Sequence, residues 1–531
     1  MTFLKHVLGL LLMALFLQSC HDNIVNPYQK VDLQALEDMK SSSYALNSHT
    51  IRKYIRNLVR QDNDSMIADY RTRGYYLNDG TFLWIDRQGL DQRADTLMEY
   101  LSMVERMGFD KKKFAIPQID KDLQRIRQLD FIDDGDTIDI NKVMARLEYN
   151  LTKAFLRYSA GQRYGFVNPT HLLNRIDEKE QVKNNGCDSI SYEILFDVPI
   201  EHPSSGFYQL AISKVQHHRL GDFLKGIQPN DSLYNKLLAR LGDEKIGGDE
   251  KNKLVCNLER CRWRMKDSKT FPDKYVLVNV PAFQLYAHDG SDVLAMRVVC
   301  GKYKTKTPLL TSKIKRMEMN PQWIIPKSIV EKEIVRHAGN KQWFDNHRYF
   351  IRNRKTGKRI EPYKVSWSML KSGNYMVVQE GGKGNSLGRI IFRFDNQFSV
   401  FLHDTSSPGA FGRDYRGASH GCVRVQKPFD LAVFMLKDKD KNTIEKIEYS
   451  MTADVSKKEV GTYVDPETGE VVERKDTLDK DKIIRSLEVT PEVPVYILYY
   501  TIFPDEKGEL KEYKDVYGYD KVMTGHLRNY M

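Results

Sequence analysis

The chain has 531 residues, too many for one ordinary hydrophobic core, and this length indicates about two to four domains. Apolar residues make up 41% and aromatic residues 11%, which excludes bulk disorder. The formal net charge is +11, but basic and acidic residues alternate almost everywhere, without the basic block and interleaved aromatics of a nucleic-acid groove, so no nucleic-acid partner is expected.

The first twenty residues have the pattern of an export signal. A short basic segment precedes an apolar run at residues 7–17, which is shorter than a membrane span of about 20 residues and typical of a signal-peptide core. Ser19 followed by Cys20 resembles a bacterial lipobox, which implies that Cys20 carries a lipid anchor. We therefore expect a lipoprotein-type signal peptide at residues 1–20 and an exported, periplasmic protein held to a membrane. A plain cleaved signal is the alternative.

The segment after the signal is polar and then becomes helical. Residues 21–45 are expected to form a tether. Residues 90–107 and 143–158 then place apolar side chains at helical spacing, which indicates helices that face a core. We predict a mainly helical scaffold domain at residues 46–270.

The periodicity changes to that of strands near residue 272. Residues 275–280 and 295–299 predict a hairpin, because Asp289-Gly290 between them favours a tight turn. Further strands are predicted at 389–394, 398–402 and 493–500.

These strands predict a β-rich domain at residues 271–450 and 490–525. Residues 328–384 interrupt it with an aromatic-rich stretch that is too long for a hairpin loop, and we predict an inserted cap there. A surface subdomain without a role in the mechanism is the alternative. Residues 451–489 are expected to be a charged excursion.

The residues with the most chemical information lie at the end of a predicted strand and in the loop after it. His403 stands 19 positions before Cys422, and His420 stands 2 positions before it. A free thiol has a pKa near about 8.5, so a nearby imidazole is needed to activate it at neutral pH. Gly421 would let backbone N–H groups face the space where an oxyanion forms.

Two alternatives follow from the residue types alone. Chance proximity is one, and a zinc site made of His403, His420 and Cys422 is the other. A second cysteine or a carboxylate at ligand spacing is missing from that set, so we expect no metal and no cofactor. The remaining cysteines are too sparse for a disulfide scaffold and are expected to be buried small hydrophobes: Cys187, Cys256, Cys261 and Cys300.

The arrangement of His403 and the tetrad Ser-His-Gly-Cys at 419–422 resembles the L,D-transpeptidase catalytic domain, also called the YkuD domain. Other segments resemble the large, periplasmic YcbB-like branch of that family: 83–84, 258–264, 275–290, 320–326 and 385–389. The likeness implies an α+β multidomain fold. A helical N-terminal scaffold domain would precede a β-rich YkuD-type catalytic domain with an inserted capping subdomain.

The resemblance also implies catalytic roles. Cys422 would be the nucleophile that accepts the acyl group, and His403 would be the general base and acid. The backbone carbonyl of Asp404 would orient His403. His420 would help to shape the site, and the N–H groups of Gly421 and Cys422 would form the oxyanion hole.

Two further residues are candidates on the substrate side. Arg424 would either hold a substrate carboxylate or brace the loop by an ion pair. Ser419 is expected to hydrogen-bond within the loop beside the substrate and not to act as a catalyst.

The implied activity is peptidoglycan L,D-transpeptidation, with wall peptide stems and an anchoring membrane as partners and the oligomeric state left open. A Cys422 thioester would form as the terminal D-alanine leaves, and an amine of a second stem would then complete a 3→3 cross-link. The same thioester would also serve a carboxypeptidase or an exchange of D-amino acids or wall-linked proteins. A non-catalytic wall-binding lipoprotein is the alternative from another class. In this branch a peptidoglycan-binding module commonly precedes the catalytic domain, but only residues 240–255 occupy that place here.

Overall fold

The computed structural model describes residues 46–86, 89–90, 92–133, 136–179, 190–266, 271–453, 455, 461–464, 471–474 and 478–531. The predicted signal peptide, its lipidated Cys20, the tether and Cys187 lie outside these ranges. Across the described ranges, no helix is both long and apolar enough to cross a membrane.

The N-terminal half of the described chain is mainly helical. Its helices are α1 (Ser48–Gln61), α2 (Ile67–Leu77), α3 (Gln92–Leu101), α4 (Ile116–Gln128), α5 (Ile140–Tyr164), α6 (Pro169–Leu173), α7 (Ser205–Gln216), α8 (Leu220–Ile227), α9 (Ser232–Leu241) and α10 (Gly248–Arg262). The cap contains α11 (Lys327–Ile329), α12 (Lys341–Asn346) and α13 (Trp367–Lys371), and the C-terminal part contains α14 (Pro428–Met435), α15 (Lys441–Thr452) and α16 (Tyr519–Leu527).

The local sequence explains where the long helix α5 begins and which of its faces packs on the core. Asp139 caps its first turn by accepting the N–H of Asn141 at 2.9 Å, and the helix ends before Gly165. Its predicted apolar stripe is buried, and the residues are Leu147, Leu151, Ala154, Phe155 and Tyr158. The helical periodicity therefore identified the core-facing side correctly.

Strands β1 to β5 are short: Ile85–Asp86, Gly89–Leu90, Ile132–Asp133, Asp136–Thr137 and Phe196–Asp197. Strands β6 to β13 are Lys274–Asn279, Gln284–Asp289, Asp292–Gly301, Leu309–Met319, Trp323–Ile324, Tyr349–Asn353, Arg359–Ile360 and Tyr375–Gln379. Strands β14 to β22 are Ile390–Phe394, Leu402–His403, Gly417–Ser419, Val423–Val425, Gly461–Val464, Val471–Arg474, Ser486–Leu498, Ile502–Pro504 and Leu510–Glu512.

The main sheet follows the order β14-β15-β17-β8-β7-β6-β20-β9-β5, with β16 beside β8. Because β9 also pairs with β14, the strand path closes on itself. The predicted turn at Asp289-Gly290 joins β7 to β8. The predicted strands 275–280 and 295–299 lie in β6 and β8, and β7 stands between them in the sheet, so they do not pair with each other as predicted. This sheet carries the candidate site at β15 and β17.

The strand predicted at residues 398–402 is wrong for most of its length, because the structure has a strand only at Leu402–His403. The side chain of Asn396 accepts the N–H groups of Phe398 and Val400 at 3.0 and 3.1 Å. Ser399 has φ 54°. Asparagine binds backbone groups of the following residues in this way at turns, so the apolar run becomes a loop.

The aromatic-rich stretch predicted at residues 328–384 contains a small β-sheet and has its own hydrophobic core. The sheet has the order β10-β13-β11-β12. Its apolar cluster is separate from the main core and includes Phe344 and Ile351, both 0% exposed. We call residues 323–379 the cap, which begins a few residues before the predicted boundary at 328.

The helical part and the catalytic sheet share one continuous apolar core. Helix α10 packs on α16, where Arg260 pairs with Asp520 at 2.5 Å. Asn257 donates from Nδ2 to Oγ1 of Thr501 at 2.8 Å and accepts the Thr501 N–H at 3.0 Å. Buried polar groups are thus paired across the boundary, as a packed interface requires.

Candidate active site

Strands β15 and β17 lie side by side and run parallel, so they bring the two halves of the predicted site together. Leu402 is opposite Val423, and His403 is opposite Arg424. Cys422 lies directly before β17, next to Val423. The pairing of the two strands therefore brings the segment that holds the thiol beside the strand that holds the His403 imidazole.

The imidazole of His403 is buried, with 4% exposure, and its orientation is fixed. Its Nδ1 lies 2.5 Å from the carbonyl oxygen of Asp404, so Nδ1 carries the proton and Nε2 remains basic. The Asp404 carboxylate accepts the N–H of Arg389 at 2.7 Å instead. A backbone carbonyl, not a carboxylate, orients the ring.

The electrostatic surroundings keep both groups of the pair neutral. Burial lowers the pKa of His403 from 6.5 to about 4; the contact with Asp404 opposes this change, and Arg424 adds to it. Burial raises the pKa of the Cys422 thiol, while the Phe401 N–H and Arg424 act in the opposite direction. A neutral imidazole beside a neutral thiol is suited to general-base activation during attack.

The turn before Cys422 is held by Ser419, which is 2% exposed. Its hydroxyl donates to the carbonyl of Cys422 at 2.6 Å and accepts the N–H of Gly421 at 3.1 Å. Ser419 is thus a loop brace with almost no surface for substrate. The oxyanion role expected of the Gly421 N–H does not fit this conformation, because that group is already bonded.

Gly421 itself is required by backbone shape. Its φ is 120°, a region that residues with a Cβ rarely adopt, and an added Cβ would lie 3.5 Å from Val400. The carbonyl of Gly421 accepts a hydrogen bond from the Thr307 hydroxyl at 2.8 Å. Glycine therefore lets the chain turn sharply just before Cys422.

Thr307 and Tyr517 support this loop and were missed by sequence reasoning. The hydroxyl of Tyr517 accepts the Thr307 N–H at 3.1 Å and donates to the Gly301 carbonyl at 2.8 Å. Tyr517 stands 210 residues from Thr307 in the chain. No local spacing pattern points to such a distant partner.

Arg416 is a second support that the sequence did not reveal. Its guanidinium is 8% exposed and donates to the backbone carbonyls of Val298, Arg413 and Phe283 at 3.1, 2.8 and 3.0 Å. These carbonyls belong to different segments around the glycine-bearing loop. Arg416 therefore binds the loop to β8 and to the turn after β6.

Arg424 and His420 have different surroundings. In the described part of the chain Arg424 makes no ion pair, and its Nε is buried without a hydrogen-bond partner. His420 is exposed, and its Nε2 lies 3.0 Å from Oε1 of Glu333 in the cap. The cap therefore touches the loop that carries Cys422.

The other cysteines that the structure describes do not form a second site. Cys256 and Cys300 are buried and Cys261 is partly buried, and all three are free thiols. Burial raises the pKa of Cys256 and of Cys300 to about 12. Within the described ranges no group of three or more histidine, cysteine or acidic residues is placed to hold a metal.

Comparisons with known proteins agree with this geometry. Residues 273–462 match the model of the L,D-transpeptidase catalytic domain, YkuD, and residues 70–241 match the model of the Scaffold domain. A putative L,D-transpeptidase of Haemophilus influenzae is 26% identical over 380 residues, which are 70% of each chain.

Solved structures give weaker matches. An L,D-transpeptidase from Mycobacterium smegmatis is 14% identical, covers 30% of this chain and about half (53%) of that one, and has a TM-score of 0.18. An Enterococcus faecium L,D-transpeptidase mutant is 11% identical, covers 60% and 86%, and has a TM-score of 0.18. The assignment rests on the two family models. The chain therefore carries the catalytic domain of the L,D-transpeptidase family behind a scaffold domain, the architecture of the YcbB-like branch.

Proposed function

We propose that this chain is a peptidoglycan L,D-transpeptidase that forms 3→3 cross-links through a Cys422 thioester. The observation that supports the proposal is the parallel pairing of β15, which holds His403, with β17, which directly follows Cys422, together with the orientation of the ring by the Asp404 carbonyl. Export and a lipid anchor at Cys20 belong to the same proposal, because the peptide stems of the wall lie outside the cytoplasm.

In the first step, the Cys422 sulfur attacks the carbonyl carbon before the terminal D-alanine of a tetrapeptide stem. Nε2 of His403 takes the thiol proton as the S–C bond forms. The C–N bond then breaks, and the proton passes from His403 to the departing D-alanine nitrogen. The backbone N–H of Cys422 is the oxyanion donor that we assign, since the Gly421 N–H is bonded to Ser419.

In the second step, the free amine of a neighbouring stem attacks the thioester carbonyl. His403 accepts a proton from that amine and returns it to the sulfur as the C–S bond breaks. A new amide bond joins the two stems, and the thiol is restored. Water in place of the amine would give hydrolysis and a tripeptide product.

Arg424 is the residue that we assign to a substrate carboxylate. Its guanidinium lies beside Cys422 on β17 and lacks an ion pair among the described residues, and its Nε is buried without a partner. Burial lowers the pKa of Arg424 because a charged group in this position is poorly solvated. An incoming carboxylate would supply the missing charge and bidentate hydrogen bonds.

The cap is proposed to cover the acyl-enzyme and to favour the amine over water. Support comes from the contact between Glu333 and His420, which stands two positions before the nucleophile. The cap has its own core, so it is able to move as a unit relative to the main sheet. Exclusion of water is a common role of lids over reactive intermediates.

The test is incubation of the protein with purified disaccharide tetrapeptide, followed by mass analysis of protein and products. The wild type should form an acyl adduct and a cross-linked dimer, and Cys422→Ala should form neither. Cys261→Ala, which removes a thiol outside the site, serves as the matched control and should behave as the wild type. A persistent adduct in Cys422→Ala would refute the nucleophile, tripeptide alone would indicate a carboxypeptidase, and unchanged substrate would indicate a binding protein.

A further inference from the structure

A second concave surface lies in the helical domain, between α2 and α7. It encloses a groove of about 340 Å³, which falls in the usual range of about 300–1,000 Å³ for small-ligand sites. The lining combines aromatic rings with neutral hydrogen-bonding groups and one guanidinium, and includes Tyr70, Tyr75, Asn78, Gln209 and Arg71. This composition differs from that of the Cys422 site.

Helix α2 buries some polar side chains and exposes several large apolar ones, unlike an ordinary surface helix. It buries Asp69 and Thr72 completely, yet Ile67, Tyr70 and Leu77 are 58%, 59% and 59% exposed. Residues spaced by three and four lie on one face of a helix, so these apolar side chains form one outward stripe. An exposed apolar stripe beside a groove marks a binding surface.

Gly74 stands in the middle of this stripe and lines the groove. A Cβ at this position would have no heavy atom within 4 Å, and the backbone is ordinary helix, so neither packing nor conformation requires glycine. Glycine inside a helix destabilises it relative to alanine. The absence of a side chain at Gly74 leaves open space, and this space deepens the groove.

We propose that this groove binds the glycan strand of the cell wall, an inference that rests on the proposed function. Sugar rings present faces of C–H groups that pack on aromatic rings, and Tyr70 offers an exposed ring. Tyr75 forms a rigid wall, since its hydroxyl donates to the Thr81 carbonyl at 2.8 Å. The amides of Asn78 and Gln209 suit the hydroxyl and acetamido groups of amino sugars.

The charge and size of the groove favour the same ligand. Arg71 makes no ion pair in the described part of the chain, and its guanidinium carbon lies 5.7 Å from the Tyr208 ring centre, so its N–H groups are available to hydroxyl and acetamido oxygens of the strand. The volume of about 340 Å³ is that of a small-ligand site, so it suits a short segment of a strand. A strand held here presents its peptides to Cys422 at raised local concentration.

The test measures binding of soluble glycan strands, stripped of peptides, to the full chain by calorimetry. We expect the wild type to bind and Gly74→Leu to bind at least 10-fold more weakly, because the leucine fills the groove. Gly226→Leu is the matched control: Gly226 is an exposed helical glycine of α8 whose Cβ would also meet nothing within 4 Å, and its variant should bind as the wild type. Acylation by the disaccharide tetrapeptide should be the same in all three proteins.

Three results would overturn the glycan site: no binding by the wild type, equal binding by Gly74→Leu, or binding only to strands that carry peptides. Tyr70→Ala replaces Gly74→Leu if the leucine variant fails to fold, and it should also weaken binding. Loss of acylation in the wild type with intact strand binding would contradict the proposed function and leave the groove supported.

Discussion

The hydroxyl of Tyr517 supports the catalytic loop from the far end of the chain. It accepts the Thr307 N–H and donates to the Gly301 carbonyl, and the Thr307 side chain in turn holds the carbonyl of Gly421. Replacing Tyr517 with phenylalanine keeps the ring and removes only the hydroxyl. The substitution therefore leaves one buried N–H and one buried carbonyl without this partner.

The size of the effect follows from those two groups. A buried polar group left unpaired costs about 1–3 kcal/mol. We expect Tyr517→Phe to lower the free energy of unfolding by about 2–4 kcal/mol. We also expect acylation of Cys422 to slow by about 10–100-fold, because a displacement of about 1 Å in a catalytic group costs about 100-fold in rate.

The assay is urea-induced unfolding together with the rate of adduct formation by disaccharide tetrapeptide, followed by mass. Tyr519→Phe is the matched control, because Tyr519 is as buried as Tyr517, 1% exposed, but its hydroxyl has no hydrogen-bond partner among the residues that the structure describes. Its loss should change stability by less than about 0.5 kcal/mol. If Tyr517→Phe matches Tyr519→Phe in both measurements, the support of the loop through Thr307 is refuted.

Three further outcomes are expected. The pKa of His403 is about 4 in the folded chain and 6.5 as its ordinary value, so between these pH values the unfolded chain binds one more proton than the folded chain. The free energy of unfolding should therefore fall by about 3 kcal/mol as the pH drops from 6.5 to 4. His403→Gln should lack this component when unfolding is measured as a function of pH. Arg424→Gln should lower kcat/KM for the tetrapeptide by about 10–100-fold through loss of charged hydrogen bonds, and a wild-type value would exclude Arg424 as the carboxylate partner. Glu333→Gln should raise the ratio of tripeptide to dimer. The free energy of unfolding should stay within about 0.5 kcal/mol of the wild type, since the pair with His420 is exposed. An unchanged product ratio would contradict the role of the cap.

The residues of the proposed site that carry reactive groups could be predicted because they lie close together in the chain. His403, Ser419, Gly421 and Cys422 stand within one strand, loop and strand, and thiol chemistry requires a base near the sulfur. The supports of the loop could not be predicted in this way. Arg416 and Thr307 act through backbone carbonyls more than 100 residues away in sequence, and threonine or arginine at such positions has no distinguishing pattern.

The errors in the predicted fold come from polar side chains that compete with apolar periodicity. The strand predicted at 275–280 lies at Lys274–Asn279, where Val276 and Val278 pack in the main core. The run at 398–402 is equally apolar, but the Asn396 amide binds the backbone of two of its residues and bends it into a loop. An asparagine just before an apolar run is therefore a signal that weighs against a strand.

The fold determines the protonation states of His403 and Cys422, on which the proposed chemistry depends. His403 stays neutral because it is buried, and it keeps a basic Nε2 because the Asp404 carbonyl occupies Nδ1. A neutral thiol beside it gains nucleophilicity only as the proton leaves, so attack requires a carbonyl already in position. Arg424 and the cap lie where they would supply that positioning. In the proposed mechanism, selectivity for a peptide stem over water comes from the groups that hold the substrate, while the Cys422 thiol and the His403 imidazole supply the reaction itself.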